Sequence, residues 1–364
     1  MVTVLPGFAG MFLGKVASAI DKKGRWIISL TFLQSLFFIL LAILFRRNQT
    51  FIGFAILMNL ISNLTGNVIG LMKLPIIQQK VEEKNRRQAL GIYQSIPTFI
   101  EPIGQALGVT YISMTHNYVA GSLINAGTFF ISACLLFIYR QNFNVNEAEQ
   151  QSEPTAKSTE KVRIIDGLRL FGKVTHLPTV HVVSATILVN ALGSSIDGIL
   201  TLYVLGHPYV SPFNFGFTIL LINLTFVLGN VLGSVLVNDP LKHVDFKGMI
   251  SLTATCLLLL YLVLFFNLGL FWILFISFSA TYLTGKLNPQ LSALMMANTD
   301  AKTISSVMGI LTTVVMVAAP IGSVLFVGGY SIIGKNNTMR VCAVIAAAII
   351  LLLQSIPFFQ EPES

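Results

Sequence analysis

Long apolar stretches alternate with short polar breaks along the whole chain. Each stretch is close to the length of about 20 residues that an α-helix needs to cross the hydrocarbon core of a bilayer. The pattern predicts eleven transmembrane helices, at 1–20, 26–45, 51–72, 89–114, 118–139, 181–205, 216–237, 249–267, 269–287, 304–328 and 341–357. We therefore predict an all-α integral membrane protein, because in lipid an α-helix satisfies all of its backbone hydrogen bonds internally.

Composition and charge agree with this prediction. Of the 364 residues, 54% are hydrophobic and 10% are charged, whereas soluble domains carry about 25% charged residues. When the spans alternate across the bilayer, 19 of the 23 Lys and Arg residues lie on the side of the 21–25 loop. Because cytoplasmic loops are rich in basic residues, we predict a multi-pass protein of the cell membrane whose C-terminus and central linker are cytoplasmic. The net charge of +8 then follows from topology, and no nucleic-acid partner is expected.

The two halves of the chain resemble each other at a nearly constant offset of 218 or 219 residues. The matched positions are Gly91-Ile92 with Gly309-Ile310, Pro102-Ile103-Gly104 with Pro320-Ile321-Gly322, Leu107 with Leu325, Leu64-Thr65-Gly66 with Leu283-Thr284-Gly285, Gly10 and Gly14 with Gly229 and Gly233, and Asp21 with Asp239. Such repeats are typical of transporters built from two related bundles. We predict a bundle at 1–139, a linker with an amphipathic helix at 140–180 and a bundle at 181–364. The GxxxG pairs predict close helix packing.

The offset also predicts that the first bundle lacks one helix. The second bundle begins near His181, and 181 − 218 = −37, so the corresponding helix would begin about 37 residues before Met1. The eleven helices are then spans two to twelve of a plan of two six-helix repeats. Either the gene encodes a longer chain, or the chain is a truncated remnant that does not transport.

The sequence contains no pattern typical of an enzyme. The three cysteines, Cys134, Cys256 and Cys342, lie in apolar stretches without the spacing of a metal or redox site. There is neither a glycine-rich phosphate loop nor a Ser/His/Asp arrangement. We predict no catalytic residue, no metal and no cofactor.

The loop after the first span resembles a family signature. Ala17-Ser18-Ala19-Ile20-Asp21-Lys22-Lys23-Gly24-Arg25 is similar to the pattern Gly-x-x-x-Asp-Arg/Lys-x-Gly-Arg/Lys of the major facilitator superfamily, with Ala17 in place of the first Gly. The resemblance implies a small-molecule transporter in which Asp21, Lys22, Gly24 and Arg25 form a conformational-switch loop. From the residues alone, Gly24 would permit a tight turn and Asp21 would pair with basic groups or cap the next helix. The alternative is an ordinary basic cytoplasmic loop.

Two further segments resemble the drug-efflux branch typified by macrolide exporters, and this implies drug:proton antiport. One is Ile164-Ile165-Asp166-Gly167-Leu168-Arg169-Leu170-Phe171, an amphipathic stretch before the 181–205 span, and the other runs from Pro75 to Gly108. The antiporter signature Gly-Pro-x-x-Gly-Gly is met in part. Pro102 fits it, while Glu101 replaces the first Gly and Gln105-Ala106 replaces the last two.

Two carboxylates, Glu101 and Asp197, lie within predicted spans, whereas the other 13 acids lie in loops or at cytoplasmic ends. An acid in hydrocarbon is costly unless it faces a cavity, is paired or is protonated, so both are candidates for proton coupling. Polar residues at helical spacing form three stripes that would line a pathway: Gln94, Thr98 and Gln105 with Glu101; Asn190 and Ser194 with Asp197; and Asn59, Asn63 and Asn67. The alternative is that they join helices by hydrogen bonds worth about 0.6 kcal/mol each.

The sequence thus favours a secondary transporter that couples protons to the efflux of amphipathic or hydrophobic small molecules by rocking of two bundles. We expect a monomer whose partners are the lipid bilayer, a small-molecule substrate and protons. The alternative is import or uniport of a small metabolite by the same fold, with the polar stripes as substrate ligands. Neither the fold nor the composition selects the substrate.

Overall fold

The computed structural model describes residues 9–46, 52–143 and 163–355. Within these ranges the chain is helical and contains no strand, which confirms the all-α prediction there. Part of the first predicted helix, at 1–8, and about half of the predicted linker, at 144–162, lie outside the described residues, as do residues 47–51 and 356–364.

The helices follow the predicted spans in chain order, although several begin or end up to ten residues outside them. The first half contains α1 (Gly10–Ala19), α2 (Lys23–Arg46), α3 (Ile52–Lys80), α4 (Glu83–Thr115) and α5 (Tyr118–Ile138), followed by a 3₁₀ turn, Arg140–Phe143. The amphipathic helix α6 (Ile164–Val174) precedes the second half, which contains α7 (Thr179–Gly206), α8 (Phe215–Val235), α9 (Phe246–Phe266), α10 (Leu270–Ala297) and α11 (Ile304–Gly322). A π-helical turn, Ser323–Val327, joins α11 to the short α12 (Gly328–Ile332), and α13 (Lys335–Gln354) follows.

Nine helical segments in the described ranges are long and apolar enough to cross a membrane. Two of the eleven predicted spans are not among them. Only ten residues of the first lie in α1, and α4 is long, at 33 residues, but carries Glu83, Lys84, Arg86 and Arg87 in its first turns and Glu101 near its middle. The number of eleven spans therefore stays a prediction.

Helix ends follow local sequence signals. Asn117, Asn214 and Asp245 precede α5, α8 and α9, and the side-chain oxygen of each accepts a hydrogen bond from a backbone N–H in the first turn. Asn267 ends α9 in the left-handed conformation, with φ of 55°. Its Oδ1 also accepts hydrogen bonds from the Tyr203 hydroxyl at 3.1 Å and the Lys335 ammonium at 2.7 Å, so it joins the ends of three helices.

The contacts divide the chain into two compact units that differ from the sequence halves. Unit 1 contains Met1–Glu82, Glu101–Gly167 and Thr299–Thr313. In this unit α2 packs along α5, where the Phe38 and Phe129 rings stack with centroids 5.5 Å apart. Next to them, the Ser35 hydroxyl donates to the Ala126 carbonyl at 2.8 Å. A second cluster, which includes Leu13, Ile27 and Met72, packs α1 and α2 against α3.

Unit 2 contains Glu83–Ile100, Leu168–Asn298 and Val314–Ser364. Helix α9 packs against α7, α10 and α13 in this unit. Tyr261 on α9 is fully buried, and its hydroxyl donates to the Leu192 carbonyl of α7 at 3.1 Å. Helix α8 packs along α10, and its GxxxG pair lies at that contact, because a Cβ added at Gly233 would overlap the Tyr282 backbone. The prediction that this pair serves close packing is confirmed.

Candidate functional site

The asparagine stripe lies on one face of α3, as its spacing predicts. Asn59 and Asn67 are exposed, whereas Asn63 is half-buried. The Asn63 Nδ2 donates to Asn59 Oδ1 at 2.8 Å, so two of the three amides bind each other along the helix. This stripe presents polar groups on the surface of unit 1 and makes it a candidate lining of a pathway.

The stripe on α4 crosses the boundary between the units. Gln94 and Thr98 belong to unit 2 and are half-buried, and the Thr98 hydroxyl donates to the Gln94 carbonyl at 2.9 Å. Glu101 and Gln105 belong to unit 1 and are exposed, and Gln105 Nε2 donates to Glu101 Oε1 at 3.1 Å. Every residue from 101 to 110 is exposed. Among the described atoms, none lies within 4 Å of a Cβ placed on Gly104.

The stripe on α7 faces partly toward α11. The Ser194 hydroxyl donates to the Ala319 carbonyl at 2.9 Å, and the Ser323 hydroxyl donates back to the Ser194 carbonyl at 3.2 Å. Asn190 donates to the Thr186 carbonyl of its own helix at 2.9 Å, while Asp197 is exposed. Ser194 therefore makes the interhelical hydrogen bonds that the packing alternative requires.

The internal repeat relates this α7/α11 contact to the exposed face of α4. At the offset of 218 residues, the repeat equivalents of Glu101, Gly104 and Gln105 are Ala319, Gly322 and Ser323. In the second half, Gly322 is packed so closely on α7 that a Cβ there would overlap the Ala191 backbone. The face of α4 that carries Glu101 is thus equivalent, by repeat position, to a helix-packing face.

The switch-like loop forms a tight turn into α2. The backbone N–H of Lys23 donates to the Asp21 carbonyl at 3.0 Å and that of Arg25 to the Lys22 carbonyl at 3.1 Å. Asp21, Lys22 and Arg25 are exposed. Gly24 lies inside the first turn of α2 without a positive φ, so the backbone conformation does not itself require a glycine there. The absence of a side chain instead admits the neighbouring Phe143, whose Cβ lies 2.8 Å from where a Gly24 Cβ would be.

A buried polar cluster, formed by Asp239, Tyr282 and Lys286, escaped the sequence analysis. Lys286 lies on α10 with a side chain 1% exposed, and its Nζ lies 3.0 Å from Asp239 Oδ1. Lys286 also donates to the Leu236 carbonyl near the end of α8. The Tyr282 hydroxyl donates to Asp239 Oδ2 at 2.5 Å. The cluster therefore ties the loop after α8 to α10.

The charges in this cluster are matched. Burial raises the pKa of Asp239, but the Tyr282 hydrogen bond and the Lys286 ammonium together lower it by more, so that the pKa lies below its ordinary value. Asp21 is the repeat counterpart of Asp239, and 67 + 219 = 286 places Asn67 at the position of Lys286. The first half has an uncharged amide where the second half has a buried cation. One signal in the sequence could have revealed the cluster. Lys286 is a lysine within an apolar stretch, and the same repeat carries an acid, Asp239, in its loop.

Two close helix crossings join the first half to the second, each within one unit. In the α1/α11 crossing of unit 1, Gly10 and Gly14 face Gly309, and a Cβ on Gly309 would overlap the Gly10 carbonyl and lie 2.9 Å from the Gly14 Cα. The Met11 N–H donates to Thr313 Oγ1 there at 2.7 Å. In the α4/α8 crossing of unit 2, a Cβ on Gly91 would overlap the Ser234 carbonyl. Gly91 and Gly309 are 218 residues apart and thus occupy equivalent repeat positions.

The sequence profile of the Major Facilitator Superfamily matches residues 1–323, which is most of the chain. The chain belongs to the major facilitator superfamily. It is therefore a membrane transporter with the superfamily fold and not an enzyme, and its substrates are small molecules. Within the described residues, no group of His, Cys, Asp or Glu side chains could hold a metal ion.

Solved structures of other superfamily members share the fold at low sequence identity. The human organic anion transporter MFSD10 is 14% identical, with a TM-score of 0.68, over 97% of this chain and 82% of its own. The transporter FucP in an outward conformation is 14% identical, with a TM-score of 0.65, over 97% and 89% of the two chains. The proton:xylose symporter XylE is 10% identical, with a TM-score of 0.62, over 98% and 84%. No curated protein matches the chain by sequence.

Proposed function

We propose that this superfamily member is a proton-coupled exporter of amphipathic or hydrophobic small molecules that works by rocking of its two repeat halves. The observation that supports the rocking mechanism is the pair of glycine crossings. Each joins one helix of the first half to one of the second through backbone contact, at repeat-equivalent positions. Contacts of this kind can form and separate without breaking a side-chain core, as alternating access requires.

Proton coupling is assigned to Glu101 and Asp197. Both carboxylates lie within the predicted transmembrane spans and are exposed on the protein surface, where contact with lipid would be costly for the charged form. Protonation of either acid favours whichever orientation of the transporter holds the proton more tightly. XylE, which shares the fold, is a proton symporter, and this supports protons as the coupling ion but not the direction of transport.

We also propose that the chain functions as a monomer, with the 21–25 loop, the central linker and the C-terminus cytoplasmic. The support for this orientation is the excess of Lys and Arg residues on that side of the predicted spans.

A vesicle assay tests the proton-coupling proposal. The full chain is reconstituted with an internal pH indicator, and a hydrophobic cationic dye is added under an imposed pH gradient. We expect dye-dependent proton flux, and we expect the double variant Glu101→Gln/Asp197→Asn to lose it, because an amide does not bind and release a proton as a carboxylate does. Glu83→Gln, an exposed acid in the first turn of the same helix, is the control and should keep the flux. Unchanged flux in the double variant would refute the assignment.

Import of a small metabolite is the second candidate, favoured by the sugar-transporting symporter among the proteins of similar fold. The same vesicles distinguish it from efflux. Counterflow of a labelled sugar without a pH gradient would indicate import or uniport, with the α3 and α7 polar stripes as substrate ligands. The glycine crossings serve either direction equally well.

A further inference from the structure

An apolar groove runs between α2 and α5 on the surface of unit 1. It has a volume of about 580 Å³ and is open to the surroundings. Its lining includes Ile28, Ser29, Phe32, Cys134, Phe137 and Ile138. The lining aromatic rings are strongly exposed, with Phe32 at 43% and Phe137 at 54%. In a membrane protein such a surface is covered by hydrocarbon, so the groove is shaped to receive an apolar chain.

Two arginines flank one end of the groove. Arg25 precedes Ser29 by one turn of α2, and Arg140 follows Phe137 at the end of α5, where its guanidinium lies 4.6 Å from the ring centroid. Both are exposed. The 3₁₀ turn that begins at Arg140 packs on the start of α2, because Phe143 approaches Gly24 closely. This contact places both cationic side chains at the same end of the groove.

We propose that this groove binds an anionic phospholipid. One acyl chain lies along the apolar lining between α2 and α5, and the headgroup phosphate lies between Arg25 and Arg140. A guanidinium group can donate two parallel hydrogen bonds to the oxygens of one phosphate. Basic pockets between transmembrane helices bind anionic headgroups. The Ser29 hydroxyl lies between the two regions, where the ester groups of a phospholipid would lie. The site includes Arg25 of the 21–25 loop and contains none of the acids and polar stripes assigned to transport.

A phospholipid fits this site better than a soluble ligand. The groove is open to the surroundings, so a bound chain stays in contact with the bilayer, and the two arginines are at one end of it. The cation–π contact with Phe137 holds the Arg140 guanidinium at this end of the groove. The chemistry selects for negative charge, so a zwitterionic lipid of the same acyl chains should bind less tightly.

Lipid retention in detergent tests the proposal without reference to transport. The purified full chain is incubated with phosphatidylglycerol or with phosphatidylcholine of identical acyl chains, and bound lipid is counted by native mass spectrometry. We expect preferential binding of phosphatidylglycerol and a loss of about fivefold in its affinity for each of Arg25→Gln and Arg140→Gln. Arg340→Gln is the matched control, since Arg340 also lies over a phenylalanine ring, Phe265, but outside this unit. It should leave binding unchanged.

A second variant tests the groove itself. Ser29→Phe places a ring where the ester groups would lie, at the start of the acyl-chain path, and should reduce phosphatidylglycerol binding while both arginines remain. Equal binding of the two lipids by the unmodified chain would overturn the proposal, and that comparison needs no variant. Unchanged affinity in the Arg25→Gln/Arg140→Gln double variant, or in Ser29→Phe, would overturn it as well. Failure of dye transport in vesicles would bear on the proposed function and leave these outcomes unaffected.

Discussion

Asp239→Asn is expected to lower the free energy of unfolding by about 3 kcal/mol, at the low end of the cost of removing one partner from a buried ion pair. Lys286 is 1% exposed and lies 3.0 Å from the carboxylate, so the variant leaves an ammonium in a dry environment without its counter-charge. Thermal unfolding of the purified chain in detergent, followed by the loss of helical circular dichroism, measures the effect.

The reverse variant should cost less. Lys286→Met removes the buried cation and leaves an Asp239 side chain that is 14% exposed and still accepts the Tyr282 hydrogen bond. The double variant Asp239→Asn/Lys286→Met should recover much of the stability lost in Asp239→Asn. If the two single variants were equally destabilised and the double variant were no better, the ion-pair account would be incorrect.

The pair should be insensitive to pH in the physiological range. The pKa of Asp239 lies below its ordinary value of 3.8, so its contribution to stability is fully present above that value and is lost only as the pH falls through the lowered pKa. The difference in stability between the unmodified chain and Asp239→Asn should therefore be constant from pH 5 to pH 8.

Gly309→Val is expected to abolish most transport while the chain still folds. A valine side chain would overlap the Gly10 carbonyl in the α1/α11 crossing. Overpacking of this kind costs about 1–3 kcal/mol. If that cost falls on the state in which the crossing is closed, the population of this state decreases by about 5- to 150-fold relative to the open state. Dye-dependent proton flux in vesicles measures the loss.

Two further variants determine whether the effect belongs to the crossing. Gly91→Val occupies the equivalent repeat position in the α4/α8 crossing and should reduce the flux similarly. Gly193→Val lies on α7, where no described atom is within 4 Å of the added Cβ, and should transport normally. Normal transport by Gly309→Val would show that the crossing does not need to close.

The helices could be predicted from the sequence because every segment that crosses lipid must be a predominantly apolar helix of about 20 residues. Uninterrupted apolar length predicted several helices of the second half well, as in α8 and α9. It was less informative for α4, where charges near Lys84 and at Glu101 reduce hydropathy while the helix continues unbroken to Thr115. The repeat also revealed the glycines, since a GxxxG pair at a fixed offset has one physical use.

The polar contacts could not be predicted in the same way. The spacing of Asn190, Ser194 and Asp197 shows that they share a face but not that Ser194 binds the α11 backbone. Similarly, the sequence cannot show that Phe143 approaches Gly24, because that contact joins distant parts of the chain. The Asp239 cluster depends on how deeply Lys286 is buried. These are tertiary properties, and the sequence pattern records only which residues are available for them.

A distance measurement across the α1/α11 crossing tests the central claim, that the two halves alternate between closed and open arrangements. Spin labels on Lys15→Cys and Lys302→Cys lie on exposed positions of unit 1 next to Gly14 and Ser305. In reconstituted chains we predict two distance populations, one short and one longer, whose ratio changes with pH and with added dye. A single short distance under every condition would contradict the account.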